Sequence, residues 1–178
     1  MSGSSAAPAT PGKLGPFLLR LSIILAYLGG VVVSAIGIMS AISIIGRSAI
    51  SRPVTGDFEL VEIGIAVAGS LFLPYCQVTN GHIVVDFFTQ RASRRTVRFL
   101  DQFGALLMAV TLLAVGWRTG VASVDIARSG ETSMLLGFPT WIGYAAAVPG
   151  TIIAGIIALL QSIGLIGLER VNPELVYE

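Results

Sequence analysis

Few residues in this chain could do chemistry, and they cluster. His82 and Asp86 stand four apart within Asn80-Gly81-His82-Ile83-Val84-Val85-Asp86-Phe87-Phe88. Arg91, Arg94, Arg95 and Arg98 follow directly and form the densest positive charge in the sequence. A second, acidic group lies upstream: Asp57, Glu59 and Glu62, the last two three apart and on one side of a helix. A His–Asp pair can relay a proton, but a lone pair at a helix end more commonly fixes structure. Glu62 at membrane depth would be a coupling carboxylate. At the start of a helix it would instead complement the dipole, and that reading carries the greater weight. Cys76 is the only cysteine and lies in an apolar run, where it behaves as a small buried hydrophobe. With one His in the chain, neither a bis-His haem anchor nor a multi-His zinc site can be built. There is no nucleophile–base pair and no glycine-rich phosphate loop, so the chain is expected to be neither an enzyme nor a cofactor carrier.

The elements that must position these groups are read from hydropathy. The chain has 178 residues, 54% hydrophobic and 12% charged. A soluble domain is about a quarter charged, so this composition belongs in a bilayer. The net charge of +1 gives no field to attract nucleic acid. Uncharged runs at Leu21–Gly46 (26 residues) and Ile63–Gly81 (19) can each span, and Gln102–Trp117 (16) is a little short. A final uncharged run, Thr132–Leu168, has 37 residues, too many for one simple span. The reading is an all-α integral membrane protein with four transmembrane helices, at about 18–46, 60–81, 94–128 and 139–168. A membrane domain of 17–170 lies between a disordered tail at 1–16 and a polar tail at 171–178. Pro139 suits a first helical turn, with Trp141 and Tyr144 at interface depth. Pro74 and Pro149-Gly150 are expected to kink their helices. Asp125 and Arg128 are expected to pair at spacing three.

Two further patterns refine this. If residues 82–91 are helical, Ile83, Val84, Phe87 and Phe88 share one face and His82 and Asp86 the other, as in a short amphipathic helix lying in the interface plane. The arginines that follow then face anionic headgroups. In the first span Gly30, Ser34, Gly37 and Ala41 form a stripe of small residues suited to close helix packing, either internal or with a partner. Lys13, Arg20, Arg91, Arg94, Arg95, Arg98 and Arg170 fall on one side, and Arg47, Arg52, Arg118 and Arg128 on the other. Seven against four places both termini in the cytoplasm.

Taken together, three segments resemble the small membrane subunit of tripartite ATP-independent periplasmic (TRAP) transporters, the DctQ-like family. They are Gly56-Asp57-Phe58-Glu59-Leu60-Val61-Glu62, Gly81-His82-Ile83-Val84-Val85-Asp86 with its arginines, and Glu131-Thr132-Ser133 leading to Phe138-Pro139-Thr140-Trp141-Ile142-Gly143-Tyr144 and Val148-Pro149-Gly150. The resemblance covers roughly 17–168. It implies a bacterial inner-membrane protein without a solute site of its own, scaffolding a large multi-span transport subunit. A periplasmic binding protein would deliver the solute, commonly an organic acid, and a sodium gradient would drive import.

On this reading Arg91, Arg94, Arg95 and Arg98 anchor the cytoplasmic edge to lipid, and His82, Ile83, Asp86, Phe87 and Phe88 form the interfacial helix. Glu59, Glu62, Arg118, Arg128, Glu131 and Trp141 are candidates for contact with partners on the periplasmic side. Two rivals differ in kind. One is a stand-alone dimeric transporter coupled through Glu62, and the other is the membrane anchor of an enzyme complex. Changing the four arginines to alanine together is expected to weaken membrane assembly or invert topology, as read by reporter fusions at either terminus. Unchanged orientation and yield would remove the anchoring role.

Overall fold

The computed structural model describes residues 14–50, 54–79 and 94–165 of the chain, with the side chains of Leu14, Ile50, Arg94 and Arg98 left out. Among these residues all regular structure is helical, apart from a single isolated bridge between Thr132 and Pro139. The helices are α1 (Leu14–Ile50), α2 (Asp57–Val78), α3 (Arg94–Ser129) and α4 (Trp141–Ser162). All four are long and apolar enough to cross a membrane. The expected interfacial segment, with His82, Ile83, Asp86, Phe87, Phe88 and Arg91, lies outside the described residues, as do 1–13 of the expected N-terminal tail and all of 171–178, whereas 14–16 of that N-terminal tail belong to α1.

The boundaries have local causes. Gly56 takes a left-handed φ of 76° immediately before Asp57, so α2 begins three residues ahead of the expected 60. Asp57 and Glu59 then lie in its first turn, where they complement the dipole. Helix α4 starts at Trp141, two residues later than expected, because Pro139 is engaged in the bridge to Thr132 and not in a first helical turn. It stops at Ser162, short of the expected 168; the turn beyond includes Gly164 with φ 73°.

Contacts place the helices in the spatial order α1–α2–α4–α3. The centre and flanks differ sharply in burial. Within the best spanning window, 39% of α2 and 33% of α4 are buried, against 11% of α1 and 17% of α3. Helices α1 and α2 run antiparallel: Gly29 meets Ala68 and Leu71, Ile36 meets Gly64, and Ser43 reaches Asp57. Helices α3 and α4 are likewise antiparallel, with Leu113 against Gly155, Gly116 against Ile152 and Gly120 near Val148. In contrast α2 and α4 run parallel: Ile63 packs on Gly143 and Ser70 on Gly150, each seven residues further on. Val78 continues this line into a cluster with Leu18 and Ile157. The seven-residue step is that of knobs-into-holes packing, in which one side of a helix keeps facing its partner.

Lipid tails are as apolar as leucine, so close packing and hydrogen bonds must hold these helices together. The decisive approach is at the middle of the α2–α4 pair. Pro74 is buried within α2 and has no N–H, which leaves the Ser70 carbonyl without its usual donor. Gly150, beside Pro149 in α4, lies directly against that carbonyl; a Cβ there would collide with the Ser70 oxygen and carbon and with the Leu71 nitrogen. Backbone therefore packs on backbone, and the freed carbonyl faces the Gly150 Cα. Neither proline interrupts its helix.

Gly150→Ala should accordingly lower stability by about 1–3 kcal/mol or prevent accumulation, since backbone cannot yield as a flexible side chain can. Gly69→Ala, with nothing within 4 Å of the added carbon, should be neutral or slightly stabilising by helix propensity. Thermal melts of the purified variants in detergent compare the two, and equal melting would show that the close approach is not limiting.

Candidate functional site: two ties at the ends of the helix pair

Among the described residues, the side-chain hydrogen bonds that join one element to another gather at the two ends of the α2–α4 pair. At one end is the connection between α3 and α4. It folds on itself through Ser133: its N–H donates to the Phe138 carbonyl at 2.8 Å, and its hydroxyl accepts from the Phe138 N–H at 3.2 Å. Thr140 donates through both its N–H and its hydroxyl to the Glu131 carbonyl, at 3.4 and 3.2 Å. The resulting loop presents two free amides, and Glu59 of α2 takes both. Its carboxylate oxygens accept from Leu135 N–H at 2.9 Å and Leu136 N–H at 3.2 Å. Leu136 then lies over Gly56, where any Cβ would collide with its side chain. The loop is thereby fastened to the first turn of α2.

The adjoining α1–α2 turn is held by Ser43, which is almost fully buried (1% exposed). Its hydroxyl donates to the Asp57 carboxylate at 2.5 Å and accepts from Val54 N–H at 3.3 Å. Arg47 reaches Asp57 at 3.5 Å and lies over the Phe58 ring, 5.9 Å from its centre. With Arg47 half exposed this pair contributes little; the serine, at a closed contact, is the firmer tie.

At the other end of the pair Gln77 and Gln161 are both buried. Gln77 Nε2 donates to Gln161 Oε1 at 2.6 Å, and Gln161 Nε2 donates to the Gln77 carbonyl at 2.8 Å. Such bonds contribute on average about 0.6 kcal/mol each in a membrane, so they fix register more than they supply stability. Sequence reasoning passed over these two residues as neutral members of apolar runs. The available signal was their amide groups, since no other glutamine or asparagine lies within the uncharged portion of α2 or α4.

The expected partner-contact residues divide. Glu59 is committed to its own chain, because two orphan amides are aimed at it. Trp141 is partly exposed, and its carbonyl accepts the Ser123 hydroxyl at 3.2 Å, which joins α3 to α4. Glu62, Arg118, Arg128 and Glu131 are exposed. Among the described residues the only ion pair is Arg47–Asp57, so the expected Asp125–Arg128 pair does not form; both side chains remain exposed. These two do line one end of a groove of about 380 Å³ between α3 and α4, together with Gly116, Gly120, Val148 and Ile152. Glu62 does not line it. The small-residue stripe of α1 points away from α2: Ser34, Gly37 and Ala41 are exposed, and added carbons at Gly30 or Gly37 meet nothing. The internal packing row is the neighbouring one: Ser22, Gly29, Ile36 and Ser43. Arg95 is exposed at the start of α3.

Among the described residues no group of His, Cys, Asp and Glu is placed to hold a metal ion. What the geometry offers is a static pair of helices locked at both ends, flanked by two helices with long exposed apolar faces. A scan of protein families matches residues 36–167 to the DctQ component of tripartite ATP-independent periplasmic transporters. The chain belongs to the DctQ family. The match takes in α2, α3, α4, all of the ties described above and the C-terminal part of α1 from Ile36. No curated protein and no solved structure shows significant similarity to the chain. DctQ proteins are components of TRAP systems, where they work with a large DctM subunit and a periplasmic binding protein.

If Glu59 is the clasp of this DctQ chain, Glu59→Gln removes one acceptor oxygen and leaves an N–H of Leu135 or Leu136 unpaired. The expected result is a weaker hold of α2 on the loop, with the released amide turning to water. It should appear as faster proteolysis within 131–138 while the helices stay intact. Equal cleavage rates in the two proteins would show that the carboxylate does not hold the loop.

Proposed function

We propose that this DctQ chain is the non-catalytic small subunit of a sodium-coupled TRAP transporter that imports an organic acid delivered by a periplasmic binding protein. Its part is to widen and stiffen the fixed frame against which the mobile portion of the large subunit moves. It resides in the bacterial inner membrane with both termini cytoplasmic, and Arg91, Arg94, Arg95 and Arg98 rest against anionic headgroups. His82, Ile83, Asp86, Phe87 and Phe88 lie in the interface plane. Glu62, Arg128, Glu131 and Trp141 are held for contact with partners at the periplasmic edge, and the Gly30, Ser34, Gly37 and Ala41 stripe for helix packing with the large subunit.

The observation that carries this reading is the pair of ties at opposite ends of α2 and α4. A transport pathway needs polar groups lining a passage that can open and close. Here the buried amides of Gln77 and Gln161 and the carboxylate of Glu59 are spent on joining elements of the same chain. That is the construction of a brace. The apolar flanks of α1 and α3 supply the area by which a brace is attached to something larger.

Isolation of the chain from its native membranes in mild detergent should recover a large multi-span protein in near-equal amount. The reconstituted pair should take up solute only when the binding protein and a sodium gradient are both supplied. Recovery of the chain alone, or transport by the chain alone, would overturn the assignment.

A further inference from the structure

Arg118 has a depth that its place in the sequence conceals. It follows the short uncharged run of α3 and reads as a residue of the outer edge. The helix contacts place it elsewhere. Gly116, two residues before it, packs on Thr151 and Ile152, at the midpoint of α4 (Trp141–Ser162). Gly150 in that same layer packs on Ser70, and Gly29 of α1 packs on Ala68, Leu71 and Phe72. Gly29, Ser70, Gly150 and Gly116 thus form one transverse layer through all four helices. On α1 that layer lies within the uncharged run Leu21–Gly46, and on α4 within Thr132–Leu168. Arg118 is about 3 Å from it along the axis, at 1.5 Å per residue. The edge is marked elsewhere, by Glu62, Asp125, Trp141 and Tyr144. Asp125 is seven residues beyond Arg118, about 10 Å further out. Any membrane placement that embeds α1 and α2 also embeds Arg118.

The side chain is exposed and, among the described residues, has no hydrogen bond or ion pair. It is not part of the groove between α3 and α4. Leu107, Thr111 and Ala114 are exposed on the same side of α3 at helical spacing. Thr111 and Ala114 are small enough for another helix to come close, and the Thr111 hydroxyl is already satisfied by the Leu107 carbonyl at 2.9 Å. A charge at this depth demands a partner. A lipid phosphate is the poorer one, because Cα–Cβ bonds tilt toward a helix N-terminus. In α3 that direction leads from Arg118 toward the middle of the layer, away from the nearer edge.

We infer that the Leu107–Thr111–Ala114–Arg118 face of α3 docks a transmembrane helix of the large subunit that carries a carboxylate, with Arg118 as its counter-ion inside the membrane. This rests on the transporter reading above and gives it a specific contact. The guanidinium presents a fork that a carboxylate fills with two parallel hydrogen bonds, while the apolar and small residues set the approach. Charge complementarity in a medium that cannot solvate either ion selects the partner.

The test uses the full chain co-expressed with the large subunit, purified through a tag on the chain in mild detergent. Arg118→Leu should lower the recovered large subunit at least tenfold, while the chain itself stays in the membrane and melts at the wild-type temperature or above. Arg118→Lys should retain most of the complex. Arg118→Gln, which keeps polarity and removes charge, carries the same expectation as the leucine variant should that one not accumulate. Wild-type recovery of the large subunit with both neutral variants would overturn the proposal. So would a loss confined to bound phospholipid, measured as phosphorus, because Arg118 would then serve the lipid. A wild-type chain that brings down no large subunit would overturn the transporter reading and this inference together, whereas an intact wild-type complex that both variants leave undisturbed overturns this inference alone.

Discussion

The architecture depends on one contact between main chains, the Ser70 carbonyl of α2 against Gly150 of α4. In lipid there is no water to accept a carbonyl that has lost its donor, and apolar side chains gain little by leaving one apolar medium for another. Pro74 creates the unsatisfied carbonyl, and Gly150 lets a second backbone come near enough to cover it. A glycine placed beside Pro149 puts the closest approach where α4 also lacks a hydrogen bond. The weak point of α2 is thereby set against the proline-bearing stretch of α4, which covers it.

The remaining interactions follow from that choice. Once α2 and α4 are parallel and in close contact, their ends must be kept from twisting past each other. At one end the Gln77–Gln161 pair holds register through two short hydrogen bonds. At the other the α3–α4 connection is gathered by Ser133 and Thr140 and clasped by Glu59. Helices α1 and α3 are added on the flanks in antiparallel fashion, α1 through the Ser43–Asp57 tie and α3 through Gly116, Gly155 and Ser123. Each flank helix gives a few side chains to the core, Leu18 from α1 and Ala105 and Ala109 from α3, and both keep most of their apolar surface for lipid or for another protein.

Hydropathy alone carried much of this. Four spans were legible because runs of apolar residues without charge have no other stable use, and the acidic start of α2 was legible from Asp57 and Glu59. The ties were less so. Glu59 could be seen as a dipole-compensating carboxylate, but its partners, Leu135 and Leu136, are some 76 residues away and contribute only backbone amides, which leave no trace in side-chain identity. Gly29 and Gly30 are adjacent and belong to neighbouring rows along α1, of which only the Gly30 row is small throughout; composition does not say which row faces inward. The structure chose Gly29, Ile36 and Ser43, and the other row faces out. The depth inferred for Arg118 was not legible, because a single helix can be measured only by its own charges, whereas depth is set jointly by the helices packed beside it.

The parallel pair has a consequence for the membrane around it. Each of its helices has 22 residues, about 33 Å at the usual rise, and the two are fastened near both ends. Separate helices meet a thinner or thicker bilayer by tilting one at a time. These two can change tilt only as one body, since independent tilting would shear the glutamine pair at one end and the Glu59 clasp at the other. The same coupling restricts sequence change: an insertion of one residue between Glu59 and Gln77 would turn everything beyond it by about 100° and advance it by 1.5 Å. The pair therefore acts as a gauge of fixed length, and the thickness of the surrounding lipid must accommodate it.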